Sequence, residues 1–389
     1  MNHRFALALG AFAFAACQDV TDPAPSVTAE EITLSASASV DVIPGKFIVT
    51  LKDGADAATV AGDHGVRPDF VYSAALNGFA GSISEAARSG LLRDFRVARI
   101  EPDGIARTQA TQSNATWGLD RIDQRSLPLS GTFTYANTGS GVTAYIIDTG
   151  ILYAHQEFGG RATFGYDSFG GNGTDCNGHG THVAGTTGGA IYGVAKAVAL
   201  KAVRVLDCGG SGSWSGVIAG MDWVTANRTL PAVANMSLGG GASASVDDAT
   251  RRMIASGVAT AVAAGNGNQG GRAQDACKYS PARVAEAMTI GATTKTDSKT
   301  TWSNYGTCVD WFAPGSGITS AWYTSNTATN TISGTSMASP HTAGVAALYL
   351  QSNPGASAQV VRDALYANTT KGIVTSSNTA NNHLLFTNY

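Results

Sequence analysis

The sequence predicts an α/β protein in which helices flank a mainly parallel sheet, preceded by a small α+β unit. Three observations predict it. Beyond residue 110, apolar runs of strand length alternate with helical stretches, the order that a helix-covered parallel sheet requires. Between residues 44 and 109 the order is instead strand-helix-strand-strand-helix-strand. A length of 389 residues with 43% hydrophobic content suffices for one large core and one small one, and excludes wholesale disorder.

The chain opens on Met1-Asn2-His3-Arg4, a short polar and positive start, followed by an apolar and small run from Phe5 to Ala16. That run suits the hydrophobic region of an export signal and is too short to span a membrane. Residues 1–16 therefore read as a signal peptide. Ala13-Phe14-Ala15 offers an A-x-A cleavage site, while Phe14-Ala15-Ala16-Cys17 resembles a bacterial lipobox in which Cys17 would carry lipid. Both readings stand. Residues 17–43, rich in Ala, Ser, Thr, Asp and Pro, form a linker.

Lys46 to Lys52 alternates as a strand does. Ala57 to His64 reads as a short helix, and Phe70 to Ile83 as strand punctuated by Asn77-Gly78. Ser84 to Leu92 is helical, although Ser84 lacks the Glu of a full capping box. Val97 to Ala106 closes the unit. This order is ferredoxin-like.

In the second block, residues 110–389, strands are expected at Val142–Ile147, Leu200–Val205, Val233–Met236, Val258–Ala263 and Met288–Ile290. Helices are expected near Thr181–Gly188, Ser215–Asn227, Val246–Ser256 and Ser336–Gln351. Only 14% of residues are charged, against about 25% in ordinary domains. A net charge of −3 excludes nucleic acid as the main partner, which would want a basic face. The charge is unevenly divided. Residues 1–109 hold 9 Lys+Arg and 13 Asp+Glu, residues 110–389 hold 16 and 15, as two separately made pieces would.

Sites in open α/β sheets form at the carboxyl ends of strands. The first run ends in Asp148-Thr149-Gly150, an acid that serves either chemistry or a loop cap. Next comes Asn177-Gly178-His179-Gly180-Thr181-His182. A zinc-protease helix would need His-Glu-x-x-His, so His179 reads as a base and His182 as a core residue one turn on. Ser333-Gly334-Thr335-Ser336-Met337-Ala338 opens an apolar helix, where free N–H groups stabilise negative charge beside a nucleophilic serine. Ala264-Gly265-Asn266-Gly267 supplies an amide able to donate to an oxyanion, or simply a turn Asn. Asp, His and Ser with an Asn donor make a full catalytic set. An esterase would place Ser first and Gly where Ala338 stands.

Asp148-Thr149-Gly150, His179-Gly180-Thr181-His182 and Gly334-Thr335-Ser336-Met337-Ala338 match the three signatures of the subtilisin-like serine proteases (peptidase S8). From Ala110 onward the chain resembles the proteinase K branch and its aqualysin-like members, through Trp117 to Gln124 and Asn235 to Gly241. The resemblance implies a subtilisin-like fold and a broad serine endopeptidase favouring apolar or aromatic P1 residues. Ser336 would be the nucleophile, His179 the base, Asp148 its partner and Asn266 the oxyanion donor. Extended substrate would lie between Gly210-Ser211-Gly212 and Ser237-Leu238-Gly239, with Ala263-Ala264-Gly265 walling S1. Residues 44–109 resemble an inhibitor-type (I9) propeptide, a chaperone and inhibitor of its own enzyme, removed by cleavage between Gln109 and Ala110.

The four cysteines after Cys17 allow three pairings, with a metal site at Cys176, His179 and His182 as the rival reading. The resemblance implies Cys176–Cys208 and Cys277–Cys308. It also implies structural calcium, held by Asp310 with carbonyls near Ala285 and Ala287, and by Asp120, Asp123 and Gln124. No cofactor is implied for catalysis. The expected product is a monomer acting on protein and peptide substrates, secreted or anchored at the envelope through Cys17.

Overall fold

A computed structural model describes residues 30–31, 42–105 and 109–389. The export signal, Cys17 and most of the linker lie outside these residues. The chain divides into two compact units, with the boundary between residues 106 and 107.

The first unit runs β1 (Val42–Leu51), α1 (Ala57–Asp63), β2 (Phe70–Tyr72), β3 (Gly78–Ser82), α2 (Glu85–Leu91) and β4 (Val97–Gly104). Its strands lie in the order β4-β1-β3-β2, all antiparallel, with the short strand Glu30–Glu31 beside β4. This is the split β-α-β arrangement expected from the element order. The Ser84 hydroxyl accepts from Ala87 N and caps α2 without a partner Glu. Gly78 permits the tight pairing of β3 on β1, since a Cβ there would lie 2.0 Å from the Val49 oxygen. Val49, Phe79, Leu91 and Ile100 form the core of this unit.

In the second unit, seven strands form one parallel sheet: β5 (Thr143–Asp148), β6 (Ala162–Asp167), β7 (Ala199–Arg204), β8 (Ala232–Met236), β9 (Val258–Ala263), β10 (Met288–Thr293) and β11 (Trp311–Pro314). Their order is β11-β10-β9-β8-β5-β7-β6. Strand β5 thus separates β6 and β7 on one side from β8 to β11 on the other, the kind of place where an α/β sheet opens a crevice. Asp148 is its last residue.

The two outermost strands are absent from the sequence-based expectation. Strand β6 exposes Thr163 and Phe164 along its length, as an edge strand does, and so lacks an unbroken apolar run. Strand β11 has four residues and ends in Pro314. The flanking helices are α3 (His179–Gly188), α4 (Trp214–Asn227), α5 (Ala244–Ala255), α6 (Thr335–Ser352) and α7 (Ala358–Asn368). Helix α6 is apolar nearly all round and packs on β8, β9 and β10, which marks it as a core helix. Helix α7, also unanticipated, starts at a Ser357 cap.

The cysteines pair Cys176–Cys208 and Cys277–Cys308. Cys176 is thereby committed to sulfur. His182 is fully buried with its Nε2 at 3.0 Å from the Ile318 carbonyl, and burial lowers its pKa to about 4. Both facts speak against the metal reading.

Candidate active site

Asp148 is wholly buried at the end of β5. Its Oδ1 accepts from the Thr149 backbone at 2.7 Å and lies 2.7 Å from His179 Nδ1. A proton on Nδ1 leaves Nε2 free to receive another. Burial opposes a charged His179, but the charge and hydrogen bond of Asp148, with the charge of Asp175, outweigh it and raise the pKa.

His179 is the first residue of α3, and Gly178 before it has φ +109°. A Cβ there would fall 2.6 Å from the Trp322 ring, so only glycine admits this entry into the helix. The buried Asp175 carboxylate organises the same turn. One oxygen accepts from Asn177 N, Gly178 N and the Thr149 hydroxyl, and the other from Thr181 N and Oγ1.

Ser336 stands second in α6, where the first N–H groups have no intrahelical acceptor. Its hydroxyl donates to the Ser237 carbonyl at 3.2 Å rather than to His179; catalytic hydrogen bonds often tighten only once substrate is bound. Pro340 lies four residues on and has no N–H to offer the Ser336 carbonyl. That carbonyl instead accepts from Ser237 Oγ at 2.8 Å. Buried Asn235 donates to the same Ser237 hydroxyl and accepts from Ser339, which joins β8 to α6.

Asn266 follows β9. Its Oδ1 accepts from Thr335 N at 2.8 Å and Thr335 Oγ1 at 2.9 Å, which leaves Nδ2 as the donor end. His179, Asn266 and Ser336 line one cleft of about 730 Å³. The same cleft is lined by Gly210, Ser211 and Gly212, by Ser237, Leu238 and Gly239, and by Ala263, Ala264 and Gly265. Every residue expected to touch substrate is thus brought together, with Asp148 buried behind His179.

Sequence reasoning missed four contributors. Trp214 opens α4 with its ring packed behind Gly240, and with Leu206 it walls the cleft; its place just after Gly210-Ser211-Gly212 was the available signal. Asp175, Asn235 and Asn304 also bond residues far along the chain, Thr149, Ser339 and Gly267 respectively, and those contacts left no local sequence signal. The Cys176–Cys208 bridge ties the loop before His179 to the loop before Gly210, and Asn177 Nδ2 donates to Cys208 O at 3.0 Å alongside it.

The expected metal ligands lie outside the cleft. Asp120 accepts from Ser130 N, Ser130 Oγ and Gly131 N. Asp123 accepts from Thr134 N, while its buried Oδ1 has no partner. Burial chiefly, with repulsion from Asp120, raises the Asp123 pKa to about 6. Gln124 donates to Ser126 O and Pro128 O. Asp310 accepts from Arg362 Nη2 at 2.5 Å and Thr289 N at 2.8 Å, and Arg362 Nε donates to Ala287 O at 3.3 Å. Burial still holds Asp310 at about 6 despite Arg362. Ala285 lies two residues before Ala287 on an exposed turn. The unpartnered Asp123 Oδ1 beside Asp120 fits a hard cation. At Asp310, by contrast, the Arg362 guanidinium already supplies the positive charge and occupies the Ala287 carbonyl, which does not fit the expected calcium site.

A strand-end acid on an imidazole, a serine at a helix start and an amide beside it define a hydrolytic site of the acyl-transfer class. Residues 139–386 match the model of the subtilase family, peptidase S8, and the chain belongs to that family. It is a serine-type endopeptidase with the subtilisin-like fold. The extracellular serine proteinase of Thermus sp. strain Rt41A is 52% identical over 406 residues, covering 97% of each chain. The alkaline serine exoprotease A of Vibrio alginolyticus is 51% identical over 335 residues, covering 84% of this chain and 61% of that one. The crystal structure of a cold adapted subtilisin-like serine proteinase superposes with TM-score 0.68 at 54% identity, over 70% of this chain and 98% of that one.

Proposed function

We propose that this chain is an exported, self-processed zymogen whose mature part hydrolyses peptide bonds through Asp148, His179 and Ser336. The observation that carries this reading is the 2.7 Å contact between Asp148 Oδ1 and His179 Nδ1, in the cleft that Ser336 also lines. Ser336 Oγ attacks the scissile carbonyl and His179 Nε2 takes its proton, then returns it to the leaving amine. Asp148 holds the tautomer and balances the imidazolium. The oxyanion is bound by Asn266 Nδ2 and the Ser336 N–H. Water then releases the acyl group by the same route in reverse.

Specificity follows from the walls. The edges at Gly210–Gly212 and Ser237–Gly239 offer backbone groups, which pair with an extended peptide without reading its side chains. The small residues Ala263, Ala264 and Gly265 leave S1 open to apolar and aromatic P1 residues.

Residues 44–109, most of which fall in the first compact unit, act as propeptide, and the apolar run from Phe5 to Ala16 directs export. The extracellular designation of the Thermus relative supports that location. Calcium would be held at Asp120, Asp123 and Gln124, where it would supply charge compensation to the fold and take no part in the reaction. At Asp310, with Ala285 and Ala287 nearby, Arg362 fills that role instead.

The experiment is hydrolysis of an apolar-P1 peptide p-nitroanilide by wild type and Ser336→Ala. The variant should be inactive and remain unprocessed; normal maturation would rule out self-cleavage.

A further inference from the structure

Asn266 is followed by Gly267, and this pair carries a chemical hazard. In an Asn-Gly step the glycine nitrogen attacks the Asn side-chain carbon, a C–N bond forms and ammonia leaves. Water then opens the resulting succinimide to Asp or isoaspartate. No side chain at glycine impedes the attack. At residue 266 the product would place a carboxylate where negative charge develops on the substrate.

The glycine is nonetheless required. Gly267 has φ +81°, and a Cβ would lie 2.5 Å from the Arg272 carbonyl. The turn that presents Asn266 therefore keeps its reactive sequence and needs protection by other means.

Both reacting groups are held. The attacking atom, Gly267 N, donates to Asn304 Oδ1 at 3.0 Å. The electrophilic amide is anchored through its oxygen by Thr335 N and Oγ1 at 2.8 and 2.9 Å. Asn304 is 1% exposed and fixed in turn. Its Oδ1 also accepts from Gln274 N at 2.8 Å, its Nδ2 donates to Ala264 O at 2.8 Å, and its backbone N donates to Gly265 O. The enzyme unit contains two other Asn-Gly steps, and the same device recurs in both. Gly173 N donates to Asp167 Oδ2 at 3.0 Å, and Gly178 N donates to Asp175 Oδ1 at 2.9 Å.

We propose that Asn304, with Thr335, guards the Asn266-Gly267 step against cyclisation and so preserves the oxyanion donor as an amide. Asn304 is a positioning residue that sets the lifetime of the site as well as its geometry. The functional half of this inference rests on the oxyanion role of Asn266 proposed above.

The test compares wild type, Asn304→Ala and Asn304→Asp, aged at mildly alkaline pH. Intact chains are isolated, titrated for active sites and mapped by peptide mass for amide-to-acid exchange at Asn172, Asn177 and Asn266. In Asn304→Ala, exchange at Asn266 should run roughly fivefold faster than in wild type, the factor one net hydrogen bond contributes. Asn172 and Asn177 should keep their wild-type rates, since their guards are untouched. The kcat should fall with the modified fraction while KM holds. Asn304→Asp retains the acceptor for Gly267 N and should protect as wild type does. Wild-type exchange at Asn266 in Asn304→Ala would overturn the proposal. If Asn304→Ala unfolds, all three sites accelerate together, and faster exchange at Asn266 in folded Asn304→Asp would then overturn it. Selective exchange with unchanged kcat would uphold the guard and refute the oxyanion role.

Discussion

The carboxylate of Asp175 accepts the hydroxyl of Thr149 at 2.9 Å while the same oxygen receives the N–H groups of Asn177 and Gly178. One buried acid therefore bolts the strand end that carries Asp148 to the helix start that carries His179. Its charge also helps to hold a proton on His179.

Asp175→Asn keeps the shape and removes that charge. The acid limb of the kcat/KM profile reports the pKa of the base in free enzyme, so it should move to lower pH. Stability should fall by about 2 kcal/mol, the scale of a hydrogen bond to a charged group. A lowered plateau with an unmoved limb would reduce Asp175 to a structural role.

Asn266→Ala removes the side-chain donor and leaves the cleft walls in place. A loss of about 10²–10³ in kcat with little change in KM is expected. Steady-state kinetics on the anilide substrate check it, and a loss confined to KM would assign Asn266 to ground-state binding.

Asp123 and Asp310 both sit at about 6, raised mainly by burial. With folded pKa values above the unfolded 3.8, the folded chain binds more protons than the unfolded chain between about pH 4 and 6, so its stability falls as pH rises through that window. Calcium at Asp123 should offset part of the loss once that carboxylate is ionised. Thermal unfolding of Ser336→Ala should show a larger calcium effect near pH 7 than near pH 5, because protonated carboxylates do not bind the ion. An equal effect at both would contradict Asp123 as a ligand.

The Cys176–Cys208 bridge closes a 32-residue separation and Cys277–Cys308 one of 31. Replacing either pair by serine should cost roughly 3–4 kcal/mol. Only the first joins the His179 loop to the Gly210 loop, so it alone should raise KM markedly. Equal KM values for the two variants would deny that coupling.

What the sequence made legible was local. Asp148, His179, Asn266 and Ser336 each sit within a few residues of a strand end or helix start, so short windows expose them. Asp175 reaches Thr149 across 26 positions and Asn304 reaches Gly267 across 37, so neither contact leaves a pattern in any window. The five inner strands announced themselves as apolar runs because both faces are covered. The edge strands β6 and β11 did not, one being half exposed and the other four residues long. Pro340, inside α6, leaves the Ser336 carbonyl free for Ser237, a pairing no short window shows.

The central claim is that Ser336 is the nucleophile activated by His179. A serine-directed sulfonyl fluoride, followed by peptide mapping, tests it most directly. The adduct should form on Ser336 in step with loss of anilide hydrolysis, and should be nearly abolished in His179→Ala. Full activity in enzyme labelled at Ser336, or an inactivating adduct on another residue, would contradict it.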